Sequence, residues 1–350
     1  MTLITNADDI PELCFLKAYD AGKSADNSSC CTEACESDDE GLVFMTHEEL
    51  AECLLNKSGT VPLPARFRAL FALRNLADEE AIDIIGQCFG DKSALLKHEL
   101  AYVLGQIGNT HALPILNSVL SDCSQDPMVR HEAGEALGAI GSLQSIPILK
   151  KYIGAEEHVA VRETCEIAVD NILKNHNATP EDKIQLAKDA QGGLLFGSMD
   201  PAPPAKVVLP TSELRAHLLD STLPLYDRYK AMFALRNQGT EAAVLALCDG
   251  LQDSSALFRH EIGYVLGQLK HSASIPALAA NLAIADEAPM VRHECAEALG
   301  SIATDECFSI LEKYINDPVD VVRESCLVAL DICEYENNDK QFMFLEKPEN

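Results

Sequence analysis

Four histidines in this chain are each followed by glutamate at positions that repeat: His98–Glu99, His131–Glu132, His260–Glu261 and His293–Glu294. The first and third pairs lie 162 positions apart, as do the second and fourth. Around the latter two the chain reads PMVRHEAGEALG at 127–138 and PMVRHECAEALG at 289–300. Imidazole and carboxylate together are the ligands that borderline first-row metals take. Repeating a helix for packing needs only its apolar spacing, so a retained polar pair points to chemistry. Four of the ten histidines carry the motif at matching places, where average composition would give roughly one such dipeptide. A fifth, His47–Glu48, falls out of register and reads as a helix start with acids in its first turn.

The elements that must position these pairs are repeats. FALRN at 71–75 returns at 233–237, and YVLGQ at 102–106 returns at 264–268, so the chain is duplicated. Within each half a basic residue recurs: Arg66, Lys97, Arg130 and Arg162 are spaced 31, 33 and 32 apart, and Arg228, Arg259, Arg292 and Arg323 are spaced 31, 33 and 31. Each marks an apolar stretch with helical spacing that follows a shorter amphipathic one such as HALPILNSVL. Gly108 and Gly141 stand where helix ends are expected. The pattern predicts an all-α chain, an α-solenoid of eight helix pairs in two four-repeat halves, in which stacking supplies the core. It resembles HEAT repeats. Tetratricopeptide repeats share the period, but the in-register basic residue, the absence of tryptophan and prolines early in first helices (ALPIL, SIPIL, SIPAL) favour HEAT.

The His–Glu pairs fall in the second helices of repeats two and three of each half. Phe67–Arg68 and Glu163–Thr164 occupy those places in repeats one and four of the first half, so folding does not require the pair. Equivalent positions on stacked helices, with axes about 8–10 Å apart, face the same way and can converge on one ion. Two imidazoles and one carboxylate form the facial ligand set of a non-haem Fe(II), with positions left open. Zinc more often takes a single site or a closed shell with sulfur. Here the set occurs twice, and if the halves face each other two metals are brought together, as a two-iron, oxygen-activating centre requires. The pattern does not say which glutamate of each pair binds metal. With one carboxylate per ferrous ion, the other two could neutralise the remaining charge or face a substrate ammonium group.

Along the chain we expect an N-terminal segment at 1–45 with a disordered acidic insert at 21–41, HEAT halves at 46–174 and 211–336, a linker at 175–210 that is mobile near 190–206, and a frayed tail at 337–350. The net charge of −28 argues against a nucleic-acid partner and suits a cationic substrate or basic protein. No run of eighteen apolar residues occurs and the start, MTLITNADDIPELC, lacks a secretory pattern, so no membrane span and a cytoplasmic location are expected. Of the thirteen cysteines, Cys165, Cys295 and Cys326 read as buried thiols. Cys30, Cys31 and Cys35 could hold a soft metal, although a disordered insert is the favoured reading.

Two four-repeat HEAT halves, four His–Glu pairs and a variable linker resemble the deoxyhypusine hydroxylase family over nearly the whole chain. The resemblance implies a di-iron monooxygenase that hydroxylates deoxyhypusine, a lysine extended by an aminobutyl group, in eukaryotic translation initiation factor 5A, using dioxygen and an external electron donor. Carried over by position, it implies that His98, His131 and Glu132 hold one Fe2+ and His260, His293 and Glu294 the other. Glu99 and Glu261 would then bind substrate ammonium or support the ligands. The insert and the long linker depart from the family pattern but touch no motif. Met128 and Met290, one turn before a histidine, are candidates for the cavity wall, with ordinary packing the commoner role. Tyr102 and Tyr264, four residues after a histidine, could border the site or pack in the core. Two rivals are a non-catalytic HEAT scaffold for a basic partner protein, and a protein that keeps the pairs but uses them for zinc or for a phycobilin lyase-like task; such lyases do not show four duplicated His–Glu pairs.

Overall fold

The computed structural model describes residues 45–179, 196–205 and 209–336. The insert expected at 21–41, with Cys30, Cys31 and Cys35, lies outside these residues, as do linker residues 180–195 and 206–208 and the tail.

Among the described residues there are sixteen α-helices and no strand. In the first half they are α1 (His47–Leu55), α2 (Leu63–Leu76), α3 (Glu79–Gly86), α4 (Ala94–Ile107), α5 (Leu113–Ser121), α6 (Pro127–Ile140), α7 (Ile146–Ala155) and α8 (Val159–His176). In the second they are α9 (Thr211–Leu219), α10 (Leu225–Gln238), α11 (Glu241–Asp249), α12 (Ala256–Leu269), α13 (Ile275–Leu282), α14 (Pro289–Ile302), α15 (Asp305–Leu311) and α16 (Asp320–Glu336). Odd and even helices pair in order.

Local chemistry sets the boundaries. Thr46 and Glu49 form a reciprocal cap at the start of α1. Pro114, Pro147 and Pro276 sit in the first turn of α5, α7 and α13, where no backbone donor is needed. The basic ladder has a structural task. Arg66, Arg130, Arg228 and Arg292 each donate Nε to the carbonyl of Leu54, Leu120, Leu218 or Leu282, near the end of the first helix of their own repeat, at 2.8–3.0 Å. Each then pairs with an acid beyond its own helix: Asp91, Glu156, Asp253 or Asp317. The arginine thus satisfies a helix C-terminus that would otherwise be orphaned inside the stack.

Second helices line the inside and stack closely. A Cβ on Gly105 (α4) would lie 2.8 Å from the Cα of Ala136 (α6), and one on Gly267 (α12) 3.1 Å from the Cα of Ala298 (α14). The array closes on itself: α8 packs against α10 and α12, and α16 against α2 and α4. Ile167 of α8 joins the core of the second half, and Val328 of α16 joins that of the first. Ser255 Oγ donates to Glu163 at 2.7 Å across one seam, and Ser93 Oγ to Glu324 at 2.6 Å across the other.

The described part of the linker differs from the expected mobile segment. Arg236, 4% exposed on α10, needs a buried counter-charge, and Asp200 supplies it through bonds of 2.8 and 2.6 Å. Ala205 N donates to the Lys230 carbonyl at 3.0 Å, and Met199 N donates to Gln106 Oε1 at 2.9 Å. Residues 196–205 therefore form a fastened strap across the two halves. Cys165, Cys295 and Cys326 are buried free thiols. No described helix is long and apolar enough to cross a membrane.

Candidate metal centre

The inner helices α4, α6, α12 and α14 bring the four His–Glu pairs together. The four imidazoles are at most 4% exposed and form a single cluster. Ring centroids are 5.5 Å apart for His98–His131 and 5.3 Å for His260–His293. Across the halves they are just as close: 5.0 Å for His98–His293, 5.6 Å for His98–His260 and 5.2 Å for His131–His260. Closure of the ring, more than stacking within a half, makes the site.

Carboxylates surround the rings. His98 has Nδ1 3.3 Å from Glu99 and Nε2 3.2 Å from Glu132. Glu294 Oε2 lies 3.4 Å from His260 Nε2 and 3.6 Å from His293 Nε2, and those two ring nitrogens are 3.3 Å apart. His260, His293 and Glu294 thus converge as one potential donor set within 4.8 Å. The first half converges differently: His98 and His131 group with His260 across the seam, and His131 groups with Glu132 and Glu135.

These residues fit a metal. His131 Nε2, His260 Nδ1, Glu99 Oε2 and Glu261 Oε1 are buried without hydrogen-bond partners. Each such atom costs about 1–3 kcal/mol unless a cation or donor satisfies it. The donors are nitrogen and oxygen, a set suited to iron. Burial, reinforced by neighbouring imidazoles, holds His131, His260 and His293 well below the usual histidine range, so they are neutral, as ligands must be. At His98 burial acts the same way, but Glu132 and Glu99 outweigh it and the ring is held well above that range. Burial, then the nearby Glu297, pushes Glu99 up to about 7. Burial, then Asp200, pushes Glu261 up to about 8. At Glu99 and Glu261 burial favours the protonated carboxyl, and a cation placed beside them would favour loss of the proton.

A cavity of about 730 Å³, counting its open mouth, runs past the cluster. Glu99, Glu132, Glu135, Glu261, Glu294 and Glu297 line it, with Met199 and Pro201 of the strap. Tyr102 and Tyr264 also line it, their hydroxyls 3.1 Å apart across the halves. Gln268 donates to the Tyr264 hydroxyl at 3.0 Å and to Ser198 Oγ at 2.9 Å, tying the strap to this pair. Met128 and Met290 are not among the lining residues. Both are buried in the apolar core of the second half, Met128 reaching it across the seam.

Three groups escaped the sequence reading. Glu135 and Glu297 stand one turn after His131 and His293 within the repeated stretches 127–138 and 289–300, and the i, i+4 rule would have placed them over the rings. Thr164, whose Oγ1 is 3.4 Å from His131 Nδ1, comes from the fourth repeat, which lacks the pair. The strap carries no periodicity that could have announced it.

Residues 91–170 and 244–331 match a family model described as HEAT repeats, and 65–91 and 227–253 match one described as PBS lyase HEAT-like repeat. Deoxyhypusine hydroxylase of Danio rerio is 58% identical over 285 residues, 81% of this chain and 90% of that protein. The Xenopus laevis enzyme is 58% identical over 278 residues, 79% of this chain and 88% of that protein. The structure of human deoxyhypusine hydroxylase in complex with glycerol is similar with a TM-score of 0.76 and 52% identity, covering 83% of this chain and 96% of that one. With this likeness along most of the chain, the scaffold reading gives way to an enzyme: the chain belongs to the deoxyhypusine hydroxylase family.

Proposed function

We propose that this chain hydroxylates the deoxyhypusine side chain of eukaryotic translation initiation factor 5A at a centre of two iron ions held between its halves. The convergence of four buried imidazoles and six cavity-lining carboxylates from both halves carries the reading. His98, His131 and Glu132 would hold one ion and His260, His293 and Glu294 the other. Bound ferrous iron would supply the activation of dioxygen that imidazole and carboxylate cannot provide.

The chain's own groups prepare the rest. Two ferrous ions balance four of the six carboxylates, and the remaining two charges match a side chain with two ammonium groups. The unpartnered oxygens of Glu99 and Glu261 are available to accept from those ammoniums. Tyr102, Tyr264, Met199 and Pro201 line the cavity with apolar surface that suits the methylenes of an unbranched side chain. The strongly acidic surface suits a lysine-rich target loop.

The test is anaerobic reconstitution with Fe(II), measurement of bound iron, exposure to oxygen and mass analysis of deoxyhypusine-bearing factor with a reductant present. Binding of two irons per chain and gain of one oxygen atom by the factor are expected. Failure to bind iron, together with an unchanged mass, would overturn the reading.

A further inference from the structure

The duplication makes Glu135 and Glu297 equivalent in sequence, 162 positions apart, each one turn beyond a core histidine. Their surroundings are not equivalent. Glu297 is 3% exposed, and its Oε1 lies 3.4 Å from His293 Nδ1. A carboxylate behind an imidazole fixes the ring's tautomer and orientation and strengthens the other nitrogen as a ligand. On the first-half side the place beside Nδ1 is taken by a different group: Thr164 Oγ1 is 3.4 Å from His131 Nδ1, and Thr164 is 2% exposed. In the second half the matching fourth-repeat residue is Ser325, whose buried hydroxyl has no hydrogen-bond partner. A hydroxyl therefore backs His131, and a carboxylate backs His293.

That substitution leaves Glu135 without the duty its counterpart performs. It is half-buried and lines the cavity beside the histidines, as does Glu261, whose Oε1 has no hydrogen-bond partner. It also lines the small pocket beside Thr164 and Pro201. We propose that the halves divide the work: Thr164 and Glu297 are positioning residues for His131 and His293, while Glu135 is a specificity-determining residue that receives a substrate ammonium group. This rests on the functional reading above and assigns within it what the duplication alone would treat as identical.

The experiment compares Glu135→Gln and Glu297→Gln, both isosteric, with the parent in two measurements. One is iron affinity by competition with a chelator, together with the Mössbauer spectrum of the 57Fe-loaded protein. The other is the KM and kcat for deoxyhypusine-bearing factor. Glu135→Gln should raise KM about tenfold or more, as loss of a charged hydrogen bond does, and should change iron affinity and spectrum far less than Glu297→Gln does, although its carboxylate groups with His131 and Glu132 within 4.8 Å. Glu297→Gln should weaken iron binding about 10–100-fold and shift the signal of one iron, with little effect on the KM of the loaded enzyme. Thr164→Val should shift the signal of the other iron, and Thr164→Ser should restore it. If both glutamine variants change the same measurement to the same degree, the division of labour is overturned. A parent protein that binds no iron and no substrate would instead overturn the functional reading, and this inference with it.

Discussion

His293 has no exposed surface; its Nδ1 is 3.4 Å from Glu297 and its Nε2 3.3 Å from His260. Such a ring contributes to a site far more than to a fold, because its polar atoms face other polar atoms. His293→Ala should therefore abolish iron binding at one position and hydroxylation with it. The far-UV circular dichroism should stay that of the parent, since alanine is the best helix former. Loss of the helical signal would show a structural role instead. The histidines were legible because they break the economy of a packing repeat. Glu135 and Glu297 were not, since an acid on an acidic helix reads as solvated until the facing half is known. Met128 and Met290, one turn from a histidine along the helix and weighed between packing and the cavity wall, lie in apolar core.

At the scale of elements, two sequence features control how far apart the histidine-bearing helices stand. Arg292, 3% exposed, ties the end of α13 to Asp317 through Leu282 O at 2.9 Å and a carboxylate bond at 2.6 Å. Arg292→Ala strips a buried acid and a helix carbonyl of their partner and should cost about 3–5 kcal/mol in denaturant melts. Its period was plain in the sequence; its job was not, because the carbonyl it caps lies ten residues back on another helix. Gly267 sets the approach of α12 to α14, whose His260 and His293 must meet. Gly267→Val forces the two backbones apart and should cost about 1–3 kcal/mol. Unlike Arg292→Ala, it should weaken iron binding even under conditions where the chain is fully folded, as measured by chelator competition.

The whole molecule is a closed ring of two similar halves, and closure is the part the sequence did not disclose: periodicity fixes stacking between neighbours but is silent on what the first and last repeats meet. They meet at seams with the same device, a serine at the start of a second-repeat helix donating to a fourth-repeat glutamate, Ser255 to Glu163 and Ser93 to Glu324. Burial pushes both carboxyls above the usual value of 4.5, and the serine bonds only partly offset it. A carboxyl raised in the folded state binds its proton more tightly there than in the unfolded chain. Its stabilising contribution is full below about pH 4.5 and is lost as pH climbs through the raised folded value. Each seam then carries a half-buried charge. Combining Glu163→Gln with Glu324→Gln keeps an acceptor for each serine and removes both charges. The double variant should melt above the parent at pH 8, with the gap closing as pH approaches 4.5. Asp91, Glu156 and Asp317 are held low in the folded state despite burial, chiefly by hydrogen bonds from Arg66, Arg130 and Arg292, and so lose stability as pH falls; both proteins keep all three, and Asp91, whose charge helps raise Glu324, belongs to that seam. The difference between the two melting curves therefore isolates the seams. A variant less stable than the parent at pH 8 would show that these glutamates hold the ring together as charges, and a gap independent of pH would show that their titration plays no part.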